Sequence, residues 1–224
     1  MWNLSLDHIR RKKIENAERI QLPLRSDQSS LEQYFYLRRN ILKTKIDINI
    51  NSSFYVVGTH TTAFATDDTK QKHIDKFFDV LSSIEEDAIF ISGGDLNALT
   101  PNALKRDFCE DDKCHNDICD GYYDSNEIYQ ASYFNHLENE ENLLLPLYEN
   151  FHSAFDDVLV DDYTNFTHST WNDSEDNPGS TNSDYWNRKL DYLFSSEPLT
   201  NGYTHQGKYM LSDHAPVSAI MEIR

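Results

Sequence analysis

From Ile41 to Ile48 apolar and polar residues alternate, and a polar turn over 49–53 leads into Phe54-Tyr55-Val56-Val57, so two strands joined as a hairpin are predicted. Between Asp67 and Ile84 the apolar residues Ile74, Phe77, Phe78, Leu81 and Ile84 recur at helical spacing, with Asp67 or Asp68 available as the N-cap. Ala88-Ile89-Phe90-Ile91 is a continuous apolar run stopped by Ser92-Gly93-Gly94, the pattern of a buried strand opening into a loop. Strand, helix, strand implies a layered α/β arrangement. Further on, 143–155 reads as helix, 165–167 as a short strand, 172–183 as a loop, and 189–194 and 215–223 as strands.

The stretch 101–142 is acidic, polar and aperiodic, and reads as a surface insertion in a single domain spanning 1–224. It holds all three cysteines, Cys109, Cys114 and Cys119. Their gaps are wider than those of tetrahedral zinc sites, and an odd count leaves one thiol over if a disulfide forms. With 38% hydrophobic and 12% aromatic residues in short clusters, the composition is that of a folded chain. Acidic residues outnumber basic ones 38 to 20, for a net charge of −18. Such a field repels polyanions unless cations offset it, and carboxylates suit hard divalent ions. There is no apolar run long enough to span a membrane, and the first 13 residues lack the apolar region of a signal peptide.

The chemistry-bearing residues fall at strand ends. Asp95 and Asn97 directly follow the buried strand, where a carboxylate can hold a metal and an amide can orient an oxygen; an Asx turn after Gly93-Gly94 is the plainer reading. Asp213-His214 precedes the last strand, and histidine is suited to take a proton from water near neutral pH. Asp191 interrupts an apolar strand, as an acid orienting that histidine or as a solvent-facing edge residue. His60 ends Phe54–Thr59 and can point to the same rim, although a lone histidine there is more often structural.

Val57-Gly58-Thr59-His60, Gly93-Gly94-Asp95-Leu96-Asn97, Arg188-Lys189-Leu190-Asp191-Tyr192-Leu193-Phe194 and Ser212-Asp213-His214-Ala215-Pro216 occur in an order that resembles the endonuclease/exonuclease/phosphatase superfamily. The resemblance runs from about Gln21 to Arg224 and implies a four-layer α/β sandwich of two mainly antiparallel sheets flanked by helices. It implies hydrolysis of phosphoesters with Mg²⁺ (or Mn²⁺ or Ca²⁺), His214 as general base, Asp191 as its orienting partner, Asp213 and Asp95 as metal-associated acids. Asp95 and Asn97 would position nucleophile and phosphate, and His60 would stabilise the charged phosphate oxygens. Arg39, with Arg38 beside it, is the candidate phosphate-binding arginine; an exposed pair at a strand start is the alternative.

Complete members of that superfamily begin with strands that supply an Asn and a metal-binding Glu, and this sequence starts after that region. Glu15, Glu18 and Glu32 lie in a charged stretch with no apolar strand before them, so none is assigned. Two functions follow as expectations. One is a phosphoester hydrolase acting on a nucleic acid, nucleotide, phospholipid headgroup or sugar phosphate. The other is a truncated or degenerate, catalytically weak member serving as a binding module through the acidic insertion and Tyr122, Tyr123, Tyr129 and Tyr133. The cysteines hint at an exported parent, while this N-terminus offers no signal.

Overall fold

The structure is a computed structural model that describes residues 13–25, 28–35, 38–48, 50–63, 68–101, 121–123, 129–131, 142–155, 163–168, 186, 188–207 and 212–223. The three cysteines, Asp67, Tyr133 and the loop 172–183 lie outside the described residues, as does most of 101–142.

Six strands form the main sheet: β1 (Lys13–Gln21), β2 (Asn40–Asp47), β3 (Phe54–Thr59), β4 (Ile89–Asp95), β7 (His152–Ser153) and β8 (Asp191–Ser195), in the order β1-β2-β3-β4-β8-β7. β5 (Gly121–Tyr123) pairs with β6 (Tyr129–Ala131), and β9 (Leu199–Thr204) with β10 (Val217–Met221), each pair a two-stranded sheet. Helices α1 (Ser30–Phe35), α2 (Thr69–Ser82) and α3 (Leu145–Asn150) and a 3₁₀ turn at Tyr163–Asn165 complete the described elements. The expected α/β architecture with more than one sheet is present, and no described helix is long and apolar enough to cross a membrane.

The hairpin of β2 and β3 is antiparallel, with Ile41 opposite Thr59. β3 and β4 are parallel, which requires a crossover, and α2 supplies it. The predicted spacing buries Ile74, Phe77 and Leu81 of α2, together with Ile84, in one core with Tyr55, Val57, Phe90, Tyr192 and Phe194. This crossover decides where the site lies, because parallel strands bring their C-terminal ends, and the residues that follow them, to the same edge.

Several elements differ from the sequence expectations. β4 does not stop at Ser92 but runs through Gly93 and Gly94 to Asp95. The glycines serve close backbone approach: a Cβ on Gly93 would sit 2.1 Å from the Tyr192 carbonyl oxygen, and one on Gly94, at φ +139°, 1.9 Å from that of Thr59. The helix expected over 143–155 ends at Asn150, because His152 and Ser153 pair with Ser195 and Phe194 of β8. Of the strand expected over 165–167, Asn165 ends a 3₁₀ turn, and the sheet-like pairing falls instead on His168. A strand, β9, occupies part of the polar connection before Ser212. The charged N-terminal stretch is itself a strand, β1, exposed along almost its whole length.

Candidate active site

Asp95 and Asp191 are opposite one another in the antiparallel pairing of β4 and β8. Two carboxylates in that position repel unless something positive or hydrogen-bonding lies between them. His214 fills this role: its Nδ1 is 2.7 Å from Asp191 Oδ2 and its Nε2 is 3.8 Å from Asp95 Oδ2. His60, directly after β3, places its Nε2 3.1 Å from the same Asp95 oxygen. Four side chains that the sequence places 23 to 154 positions away from one another, His60, Asp95, Asp191 and His214, thus meet at one rim of the main sheet.

Local structure fixes each of them. The other oxygen of Asp95 accepts the backbone N–H of Asn97 at 2.9 Å, so the Asx turn is present and still leaves Oδ2 to the histidines. Asn97 takes the left-handed conformation, φ 45°, which asparagine tolerates, and its buried amide donates to the Thr61 carbonyl at 3.2 Å. That bond, with Thr61 N–H donating to the Asp95 carbonyl at 3.0 Å, ties the loop after His60 to the loop after Asp95. On the other side, the fully buried hydroxyl of Thr167 accepts the N–H groups of Leu190 and Asp191 at 2.9 and 3.0 Å, while the Thr167 carbonyl accepts Ala215 N–H at 2.6 Å. Thr167 therefore sets Asp191 and His214 relative to each other. His214 N–H also donates to Ser212 Oγ at 3.0 Å.

The charges follow from these contacts. Burial pushes the Asp95 carboxyl up, but the His60 hydrogen bond, the charges of His214 and His60 and the Asn97 N–H together hold it below its ordinary value of 3.8. Burial pushes His214 down, and the hydrogen bond and charge of Asp191, then the charges of Asp95 and Asp213, overcome it and raise His214 above 6.5. Beside it, the His168 ring lies against the His214 ring, tilted, at a centroid distance of 4.4 Å. Burial first, then the positive charges of His214 and Arg188, push His168 down to about 4.

His168 and Thr167 are the residues the sequence reading missed. A single histidine in a polar segment carries no periodic signal; only the bridges of His168 to Arg188 and His214 reveal its position. Asp213 is exposed and lies within reach of His168 and His214 as a possible metal ligand. Arg39 precedes β2 at the same edge as His60, since Ile41 pairs with Thr59, but makes no ion pair with the four central residues; its Nε is buried without a hydrogen-bond partner among the described residues. Glu15 lies toward the far end of β1, where it pairs with Lys45 at 3.4 Å.

No protein-family model matches the chain, and no curated protein does. Solved structures do. D. rerio TDP2 complexed with single-strand DNA product is 15% identical, with 94% of this chain and 68% of that one covered at a TM-score of 0.55. An endonuclease/exonuclease/phosphatase from Bacteroides vulgatus is 12% identical, covering 95% and 67% at 0.54. A family protein from Leptotrichia buccalis is 16% identical, covering 94% and 62% at 0.51. The chain spans 62–68% of the length of these three structures. At such identities the likeness is one of fold alone: the chain shares the fold of these endonuclease/exonuclease/phosphatase and TDP2 structures.

Proposed function

We propose that the chain is a metal-dependent phosphoester hydrolase in which His214, oriented by Asp191, takes a proton from the water that attacks phosphorus. The observation that carries this reading is the pairing of His214 Nδ1 with Asp191 at 2.7 Å, with Nε2 turned to the rim where Asp95 and His60 meet. An acid on one ring nitrogen fixes the tautomer and leaves the other nitrogen as the base. His60, half exposed and bonded to Asp95, is placed to stabilise negative charge on phosphate oxygens. Asn97 acts by holding the Asp95 loop against the loop that carries His60, and so positions nucleophile and phosphate. Arg39, at the same sheet edge, is proposed as a phosphate contact.

Asp95 and Asp213, the two acids besides Asp191 whose charges act on His214, are an oxygen donor set of the kind that Mg²⁺, Mn²⁺ or Ca²⁺ takes. Such an ion, when bound, offsets the charge of the phosphate under attack. The substrate class is a phosphate ester. The net charge of −18 favours a nucleotide, headgroup, sugar phosphate or short strand over a long polyanion, and the single-strand DNA product on D. rerio TDP2 makes a short DNA strand the first natural substrate to try.

Hydrolysis of bis-p-nitrophenyl phosphate with Mg²⁺ or Mn²⁺, by this chain and by its His214→Ala variant, tests the proposal. Metal-dependent turnover lost in the variant is expected. A folded chain with no turnover would instead favour the binding-module reading.

A further inference from the structure

His168, Asp213 and His214 each present a ligand atom, all within 4.8 Å of one another, and the proton transfer proposed above uses only one of the three. The two rings are set by backbone pairing, since His168 bridges to His214 on one side and to Arg188 on the other. The His168 ring, 8% exposed, lies against the His214 ring with an angle of 42° between the planes. Asp213 closes the group from the solvent side.

Two imidazoles and one carboxylate are not the donor set of a hard cation. Mg²⁺ and Ca²⁺ select oxygen, whereas imidazole nitrogen suits Zn²⁺, Co²⁺ and their first-row neighbours. At zinc bond lengths of about 2.0–2.2 Å, ligand atoms stand roughly 3 to 4 Å apart, so a spread of up to 4.8 Å needs to close by about 1 to 2 Å. His214 already has the outer partner that metal-bound histidines carry, a carboxylate on the opposite ring nitrogen, here Asp191. Because Nδ1 is committed to Asp191, Nε2 is the atom left for an ion.

We infer that His168, Asp213 and His214 form a binding site for a zinc-class ion, and that its occupation inhibits hydrolysis. The reason is exclusive use of one lone pair: the Nε2 of His214 cannot both coordinate an ion and accept a proton from water. Asp213 would also be withdrawn from the hard cation. The inhibitory half rests on the proposed hydrolase function; the binding half does not.

Binding is read without turnover, by adding Co²⁺ to the whole chain at fixed pH while following the histidine ring resonances by NMR, and by calorimetric titration with Zn²⁺. Co²⁺ is expected to perturb His168 and His214 before His73 and His205. His168→Ala and Asp213→Asn are each expected to weaken Zn²⁺ binding by more than about tenfold, the loss that even an outer partner of a metal-bound histidine produces. Should His168→Ala fail to fold, Asp213→Asn, altered at an exposed side chain, carries the test. Co²⁺ uptake that leaves the His168 and His214 rings unmoved, or unchanged Zn²⁺ affinity in Asp213→Asn, overturns the site. In the turnover assay with Mg²⁺, one equivalent of Zn²⁺ is expected to abolish activity, and activity that persists with Zn²⁺ bound overturns the inhibition. Binding without any turnover upholds the site and removes the hydrolase reading, while turnover without binding does the reverse.

Discussion

Asp191 holds His214 by a 2.7 Å contact to Nδ1, and its own backbone is fixed by the buried hydroxyl of Thr167. Replacing the acid by an amide keeps the shape but removes the charge and the preference for the reactive tautomer. Asp191→Asn is therefore expected to fold and to lose roughly 10⁴-fold in turnover, as the equivalent change does in a Ser-His-Asp triad. A stability effect accompanies it. The folded-state pKa of His214 is raised above 6.5, so the pair's contribution is complete below pH 6.5 and disappears as pH rises through the raised value. Urea unfolding of the metal-free proteins should show the gap between wild type and variant widest on the acid side. A gap independent of pH would mean that His214 is not charged by Asp191.

His60 has the matching relation to Asp95. The Asp95 pKa is held below 3.8 by a set of contacts in which the His60 hydrogen bond is the largest lowering influence. A depressed carboxyl stabilises the fold above pH 3.8 and ceases to do so as pH falls through the depressed value. His60→Ala is expected to raise the Asp95 pKa, seen by carboxylate NMR, and to reduce turnover about 10²-fold, the scale for loss of one charge-stabilising donor. An Asp95 titration unchanged by the substitution would show that His214 and the Asn97 N–H hold it without His60.

The elements that sequence made legible are those with a period. Phe54 to Thr59 present a buried face, Ile41 anchors β2 in the core, and Ile74, Phe77 and Leu81 repeat along one helix stripe, so β2, β3 and α2 could be read. Strand β1 could not, because an edge strand with nearly every residue exposed has no apolar face to betray it. Strand β9 was hidden for another reason: Asn201 has φ +53° and Gly202 lies where a Cβ would meet the Ala154 carbonyl oxygen at 1.9 Å, so turn-forming residues occupy a strand. In the site, His60, Asp95, Asp191 and His214 were readable because each ends or begins an apolar run. His168 and Thr167 act through tertiary pairing with Arg188, Leu190 and Ala215, which no local pattern encodes.

Gly93 tests whether the glycines in β4 are there for packing. A methyl group at this position would meet the Tyr192 carbonyl oxygen at 2.1 Å and the Leu193 side chain at 2.8 Å. Backbone cannot yield as a side-chain tip can, so β4 and β8 must separate at Gly93 and Leu193, two residue pairs from Asp95 and Asp191. Gly93→Ala is expected to cost about 3 kcal/mol in urea unfolding, the upper part of the usual range for overpacking, and to weaken turnover as well. Loss of less than about 1 kcal/mol would mean that the strands adjust freely and that the site does not depend on their spacing.

His168 gives a pH signature of opposite sign to that of His214. Its folded-state pKa lies at about 4 against an ordinary 6.5, so the folded chain resists protonating a ring that the unfolded chain protonates readily. Stability from this residue is complete above pH 6.5 and is lost progressively as pH falls from 6.5 toward 4. At about 1.36 kcal/mol per pH unit the full loss is of the order of 3 kcal/mol. It falls in a window of its own, acid to the His214 effect and alkaline to that of Asp95. His168→Gln, which keeps a polar side chain but has no proton to gain, should flatten the urea stability curve across that window in chelator-treated protein. If the acid slope survives unchanged, the buried ring is not its source, and protonation there does not oppose folding.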